Sequence, residues 1–349
     1  MLKAPIPFVD LRGRTPIDLL RNYPDKALEL IRASRRIYGL ASQAASALLL
    51  PLADRRSHAW LRRSANPYLY EIESFAEILG VSGVYALNLS YEWGCTGGVF
   101  RNGDSVSQLR VLDWPFPQMG RHVMAVLQNG KAGEFFNLTW PGVSGVFNAM
   151  APGRFCASVN LAPMREHMLG FAGDWVRNRM LADKQSALPP AHLLRQVFEQ
   201  ASDYESAKKM LAETRLAVPA IFVLSGMRGG EGCVIERLEN TAEILELSAG
   251  QQLTTSNHFN SSLAMVGAGW RPREPDSHGR HKQSCSIHGH DFADDFNWVR
   301  SPIVNEYTRL CMVMDASSRK LLAQGFEGML QVTDVFNLPV QAYEQREAI

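Results

Sequence analysis

A helical period runs through roughly the first ninety residues and stops near Cys95, where short β-rich segments broken by glycine and asparagine turns take over. No other feature narrows the fold as much. Thr15-Pro16, ahead of Ile17, Leu19 and Leu20, has the form of an N-cap with proline in the first turn. Ala27, Leu28, Leu30 and Ile31 continue at helical spacing, and Ala41–Leu52 is expected as a further helix ended by Pro51. Beyond Thr96, strands are expected at Gly98–Phe100, Gln108–Asp113, His122–Leu127, Glu134–Trp140 and Cys156–Leu161, with Arg101-Asn102-Gly103-Asp104 as a hairpin turn. Residues 174–213 return to helix, with Pro189-Pro190 opening His192–Ala201 and Tyr204–Glu213 after it. Strands resume at Ile221–Ser225, Cys233–Leu238, Ile244–Ser248, Thr308–Asp315, Lys320–Phe326 and Leu330–Val335. Grouped strands with short turns favour antiparallel sheets with helices on the outside, an α+β chain.

Composition removes several classes of function. Lys and Arg number 36 against 35 Asp and Glu, a net charge of +1, so no basic excess points to nucleic acid. The five cysteines, Cys95, Cys156, Cys233, Cys285 and Cys311, are widely spaced without a CxxC, which argues against a disulfide framework or a cysteine zinc site. The first residues, MLKAPIPFVDLRGR, lack the apolar run of a signal peptide, so a cytoplasmic location is expected. Ala44–Leu52 is too short to span a bilayer, but Ala41–Arg63, with Arg55, Arg56, Arg62 and Arg63 around Trp60 and Leu61, suits weak contact with a membrane surface or a solvated helix face. No GxGxxG, P-loop, GxSxG or HExxH occurs, and no cofactor is expected.

Cys95 stands where helix gives way to strand, in Tyr91-Glu92-Trp93-Gly94-Cys95-Thr96. Arg110 and Asp113 follow within Leu109-Arg110-Val111-Leu112-Asp113, an apolar strand in which ionised side chains are costly without partners. Either they pair with each other, or the cation serves a thiol and the carboxylate an amine. A spacing of three puts them on opposite faces of a straight strand, so one shared site requires a bend. His278, His281, His288 and His290, with Cys285 and Asp291, form a histidine-rich tract that fits no compact zinc spacing and is expected as a polar loop, with no metal assigned. Trp93, Trp114, Phe116, Trp140 and Phe147 are either core or the lining of an acyl pocket.

These residues carry a resemblance. Ala86–Glu92, Cys95-Thr96, Arg110–Asp113, Val223–Arg237, Thr255–His258 and Pro302–Asp315 are similar to the acid ceramidase and N-acylethanolamine acid amidase family of N-terminal-nucleophile hydrolases, and more distantly to choloylglycine hydrolases. The resemblance implies a four-layer αββα sandwich of two antiparallel sheets. It also implies self-cleavage between Gly94 and Cys95, giving a helical fragment 1–94 that stays associated with a catalytic fragment 95–349. Cys95 would be the nucleophile, Arg110 its cationic neighbour, Asp113 the holder of the freed α-amine, and Asn257 a side-chain oxyanion donor. Asn160 resembles a second oxyanion residue. Arg280 is the better match to a late family arginine, with Arg273 as rival, because Asp276-Ser277-His278-Gly279-Arg280 departs from the Asp-Asp-Arg-Arg pattern. The function implied is hydrolysis of a linear N-acyl amide with a hydrophobic acyl group through a Cys95 acyl-thioester. An acyltransferase using the same acyl-enzyme, or a non-enzymatic lipid- or metal-binding protein, are the alternatives left open by the residues.

Overall fold

The structure, a computed structural model, describes residues 3–35, 40–90, 93–247, 252–267, 269–272, 275–289, 292 and 295–338, without the side chains of 40–48. The helical half opens with strand β1 (Phe8–Asp10), then α1 (Pro16–Asn22), α2 (Pro24–Ser34), α3 (Leu40–Arg63), α4 (Leu69–Leu79) and α5 (Val84–Asn88). A β-rich stretch follows: β2 (Gly94–Asn102), β3 (Ser105–Asp113), α6 (Met119–His122), β4 (Met124–Gly130), β5 (Gly133–Thr139), β6 (Asn148–Ala151), β7 (Phe155–Leu161) and β8 (Met164–Arg165). Helices α7 (Gly170–Asp183), α8 (Pro190–Gln200) and α9 (Tyr204–Glu213) come next. The remainder holds β9 (Ala220–Ser225), β10 (Gly232–Arg237), β11 (Ala242–Glu246), β12 (Gln252–Thr255), β13 (Trp270–Arg271), α10 (Ser277–Ser284), β14 (Thr308–Asp315), β15 (Lys320–Glu327), β16 (Leu330–Gln331) and β17 (Phe336–Asn337).

Two sheets face each other. One runs β1-β4-β5-β6-β7-β9-β10-β11, the other β12-β2-β3-β14-β15-β16 with β17 also on β15. Every pairing in them is antiparallel except β1 with β4. Strands β2 and β3 lie against β7 and β9, and the apolar side chains between them form the main core. Helices α8 and α9 cover the outside of the first sheet, while α10 and α6 lie on the second. This is the αββα sandwich. The β2–β3 hairpin turns at Gly103 with φ of 61°, a left-handed conformation that glycine adopts without a Cβ clash, as the Asn102-Gly103 signal anticipated.

Three expectations need correction. Pro51 does not end a helix: α3 continues to Arg63, anchored where Trp60 and Leu61 are buried. Leu330–Val335 is not one strand. The chain leaves the edge after Gln331 because Thr333 is drawn inward, its Oγ1 accepting from Gly325 N and its carbonyl from Gln324 Nε2. The tract around His278 is a helix, not a loop, with Asp276 as N-cap accepting from Gly279 N at 2.9 Å.

The helical half is tied into the body by buried polar contacts. Arg195 on α8 holds both carboxylate oxygens of Glu71 on α4, at 2.6 and 3.0 Å. Its guanidinium also lies 4.1 Å from the centre of the Tyr68 ring. Asn66 Nδ2 lies 2.9 Å from Nδ1 of the fully buried His192, and burial pushes that imidazole down to about 3. Glu71→Ala removes one of the two carboxylates on the buried Arg195, which keeps Glu199 and the Ser144 carbonyl, and a loss of about 2 kcal/mol is expected in urea unfolding. His192 binds a proton on unfolding below the ordinary histidine value of about 6.5, but in the folded chain only near the lowered one. Stability is therefore expected to decline as pH falls from about 6.5 toward that value, and His192→Asn should flatten the decline in urea midpoints.

Candidate active site

Cys95 is the second residue of β2, paired with Leu112 on β3. Cys95, Arg110, Asp113, Asn160, Asn257 and Arg280 are all 0% exposed, so water does not dilute the charges among them. Side chains alternate along β2 and β3, and the site is built on both faces of that pair. Toward the facing sheet lie Cys95 and Arg110. The Arg110 guanidinium donates to Asn160 Oδ1 and, at 3.0 Å, to the Val159 carbonyl on β7, whose oxygen is 3.9 Å from the Cys95 sulfur. Gly97, between them on β2, leaves this space open: a Cβ there would come within 3.0 Å of Val223 and 3.7 Å of Asn160 Oδ1.

Asp113 and Thr96 lie toward α10. Asp113 Oδ1 accepts from Thr308 Oγ1 at 2.8 Å. Its Oδ2 is 3.7 Å from Arg280 Nη1 and is buried with no hydrogen-bond donor among the described residues. The pairing of β3 with β14 slips here, Asp113 opposite Thr308 and Leu112 opposite Leu310, so Arg309 is the extra residue of a bulge. The bulge lies on β14, and β3 keeps its register with β2 through Asp113, so no bend brings the two charged residues to one face: Arg110 and Asp113 stay on opposite faces and are held by different partners.

The end of β12 closes the site. Asn257 Oδ1 accepts from the Cys95 backbone nitrogen at 2.6 Å and from Arg280 Nη2 at 2.9 Å. Arg280 Nη1 also donates to the Cys95 carbonyl and, at 3.1 Å, to Thr96 Oγ1, while Nε donates to the Pro275 carbonyl at 2.7 Å. Ser256 Oγ donates to the Cys95 carbonyl at 3.2 Å. Strand β12 was too short to stand out in the sequence, although Leu253-Thr254-Thr255 carries the apolar and β-branched signal.

All six expected residues lie in this buried region, and the side chains of Asn257 and Asn160 are hydrogen-bonded at both ends. The Asn257 Nδ2, expected as an oxyanion donor, is committed to the Leu161 carbonyl at 2.8 Å. Asn160 is also engaged at both ends, its Nδ2 donating to Ser256 O at 2.9 Å. Arg273, the rival of Arg280, lies outside the described residues, as do His290 and Asp291. Among the described residues no group of three or more His, Cys, Asp or Glu side chains is placed to hold a metal ion. His278 and His281 instead stack around His258, with ring centroids 4.0 and 5.2 Å away. The aromatic cluster packs on itself, Trp114 lying 5.3 Å from Trp93 and 5.1 Å from Phe147. Trp114 and Phe116 also wall a cavity of about 60 Å³ shared with Leu30, Ile31 and Leu87 of the helical half.

The fold is an αββα sandwich with a buried cysteine at the start of a central strand. Among solved structures the chain matches the N-acylethanolamine-hydrolyzing acid amidase ortholog of Caenorhabditis elegans, with TM-score 0.52 and 18% identity over 70% of this chain and 100% of that one. It is 35% identical to acid ceramidase of Heterocephalus glaber over 115 residues, 32% of this chain and 28% of that protein. It is 28% identical to N-acylethanolamine-hydrolyzing acid amidase of Cavia porcellus over 178 residues, 49% of this chain and 48% of that protein. The chain thus spans about half the length, or less, of these curated relatives. No family model matches.

Electrostatics set the resting state of the thiol. Burial pushes the Cys95 thiol up to about 11, against the opposing pull of Arg110 and Arg280. Arg110 favours the thiolate as expected, but desolvation outweighs it. Iodoacetamide labelling of Cys95, read on the peptide that carries Cys95, should therefore climb about tenfold per pH unit between roughly 7 and 10. Arg110→Met should move that curve to higher pH. A curve that overlays the wild type would remove Arg110 from the electrostatics of the thiol.

Proposed function

We propose that the chain is an amidase that hydrolyses linear N-acyl amides with hydrophobic acyl groups through an acyl-thioester on Cys95, after cutting its own Gly94–Cys95 bond. One observation supports this above the rest: the nitrogen of Cys95 is held by Asn257 Oδ1 while a carboxylate oxygen of Asp113 in the same buried site, 3.7 Å from Arg280, takes no hydrogen bond among the described residues. A backbone amide nitrogen has one proton to give, and Asn257 takes it. A free α-amine has more, and Asp113 is the acceptor left over.

In the cleavage step the Cys95 sulfur attacks the Gly94 carbonyl carbon, the C–N bond breaks, and the nitrogen leaves as an amine that takes up the thiol proton. Water then hydrolyses the thioester, leaving a Gly94 carboxylate and a Cys95 with a free amine. That amine, with a reference value of about 7.7–8.0, is the general base in turnover. It removes the thiol proton, the sulfur adds to the substrate carbonyl, and the protonated amine returns a proton to the leaving amine. Water releases the fatty acid. Arg110 and Arg280 supply positive charge against the thiolate and the tetrahedral oxyanion, and Asn257 reaches that oxyanion once it gives up the Leu161 carbonyl. The names of the curated relatives, ceramidase and N-acylethanolamine-hydrolyzing amidase, agree with a fatty acyl amide as substrate. The apolar cavity beside Trp114 and Phe116, about 60 Å³, holds only a few methylene groups, so a long acyl chain would have to widen it.

The test is turnover of a long-chain N-acyl amide with mass analysis of the quenched protein. A fatty acyl adduct on Cys95, absent in Cys95→Ala, is expected. Asp113→Asn should slow both cutting and turnover, and Asn257→Ala should lower kcat by ~10²–10³ with little change in KM. Full turnover by Cys95→Ala would end this reading.

A second part of the proposal is weak attachment to membrane surfaces. No helix among the described residues is long and apolar enough to cross a membrane. Support comes from Phe171 and Met180 on α7, 63% and 51% exposed, and from the exposed Met168 and Leu169 just before it; Met180 also lines a groove of about 450 Å³ shared with α3. Partial sedimentation with anionic liposomes, reversed by high salt and reduced by Phe171→Asp, is expected. Binding that withstands carbonate washing would contradict it.

A further inference from the structure

Trp93 stands immediately before β2, two residues ahead of Cys95, and residues two apart on an extended chain point to the same side. Both are buried in the main core, Trp93 at 2% exposure. The indole packs edge to face on Phe147, with ring centroids 5.0 Å apart and an interplanar angle of 84°, and lies tilted on Trp114 at 5.3 Å. These two walls are fixed from elsewhere in the sandwich. The Trp114 backbone nitrogen donates to the Tyr307 carbonyl at 2.7 Å, and the Phe147 carbonyl accepts from the Val159 nitrogen at 2.9 Å. Trp114 also stacks on Phe116, and both line the cavity of about 60 Å³.

The proposed self-cleavage gives this indole a meaning. Cutting joins the Cys95 sulfur to the Gly94 carbonyl carbon, and turnover joins the same sulfur to the carbonyl carbon of a substrate. The two acyl groups share one attacking atom and one set of charges, so what hangs from the Gly94 carbonyl marks the path of a substrate's acyl chain. Five atoms separate the Gly94 carbonyl carbon from the Trp93 ring: Cα and N of Gly94, then C, Cα and Cβ of Trp93. After cutting, Trp93 ends up beside the terminus of the helical fragment, while Trp114 and Phe147 stay with the catalytic one. The new Gly94 carboxylate would form opposite Asp113, its register partner on β3, which is fully buried. Two carboxylates sharing a buried site repel, which drives the cut end out and the indole with it. The cavity beside Trp114 then gains the space of a ring.

We infer that the acyl subsite is shaped for an aromatic ring five atoms from the reacting carbonyl, and that the chain hydrolyses amides of aryl-terminated acids of that length, the 6-arylhexanoic acids. In each turnover the amide C–N bond breaks, water gives its hydroxyl to the acyl carbon, and the amine leaves with a proton. A ring in this place makes the edge-to-face contacts that Trp93 makes in the uncut chain, worth roughly two- to tenfold over an alkyl chain of equal size. The inference rests on the amidase reading and names the acyl group that the reading leaves open.

Two measurements on the cut wild-type protein test it. Ethanolamides of 3-phenylpropanoic, 6-phenylhexanoic and 9-phenylnonanoic acids are compared with that of dodecanoic acid, which matches the middle one in carbon count. The 6-phenylhexanoyl amide is expected to have the highest kcat/KM of the aryl series, about fivefold above dodecanoyl, and Phe147→Leu should bring that ratio to about one. Hydroxyl-radical oxidation of Trp93, read on the peptide that carries it, should be several-fold faster in the cut protein than in uncut Cys95→Ala. A profile indifferent to the position of the ring, or Trp93 oxidised equally in both proteins, overturns the aromatic subsite. A cut protein that hydrolyses none of these amides overturns the amidase reading instead, and Trp93 oxidation alone then decides whether the subsite empties.

Discussion

The arrangement turns on one buried guanidinium. Arg280 binds the Cys95 carbonyl, the Thr96 hydroxyl and Asn257 Oδ1, and lies 3.7 Å from Asp113. A buried charge of this kind is tolerable only when nearly every donor is used, since desolvation costs several kcal/mol per ion. Its Nε is taken by Pro275 O, so all three nitrogens are engaged. In return, Arg280 fixes α10 to β2 and β12 and brings elements separated by more than 150 residues to the start of one strand.

Alternation along β2 and β3 divides the labour. The face toward β7 offers the sulfur and Arg110, and the face toward α10 offers Asp113 and Arg280. The nitrogen of Cys95 lies in the backbone between them, where Asn257 reaches it. In the proposed mechanism, a nucleophile that is also the base for its own side chain draws on groups from both faces of its strand.

Much of this was legible in the sequence, and the gaps have physical causes. The change from helical to alternating pattern near Cys95 reflects a real boundary between the α1–α5 layer and the sandwich. Asn102-Gly103 signalled its hairpin because few residues adopt positive φ. Arg110 and Asp113 stood out because charges inside apolar strands need an explanation. What stayed hidden was set by tertiary contact. Strand β12 is only Gln252–Thr255, too short for a period. Helix α10 is polar throughout, and its identity depends on Asp276 capping it and on Arg280 being buried. Asn257 was found, but its two ends were assigned by the partners the fold supplies, Cys95 N and Leu161 O.

The central claim is that Cys95 becomes the first residue of a fragment. A denaturing mass spectrum of purified wild-type protein tests it most directly. The account predicts two masses that split between Gly94 and Cys95, held together until denatured. Their sum should exceed the full-length mass by one water, with Cys95→Ala giving a single mass. A wild-type chain that stays uncut while hydrolysing N-acyl amides at full rate would contradict it.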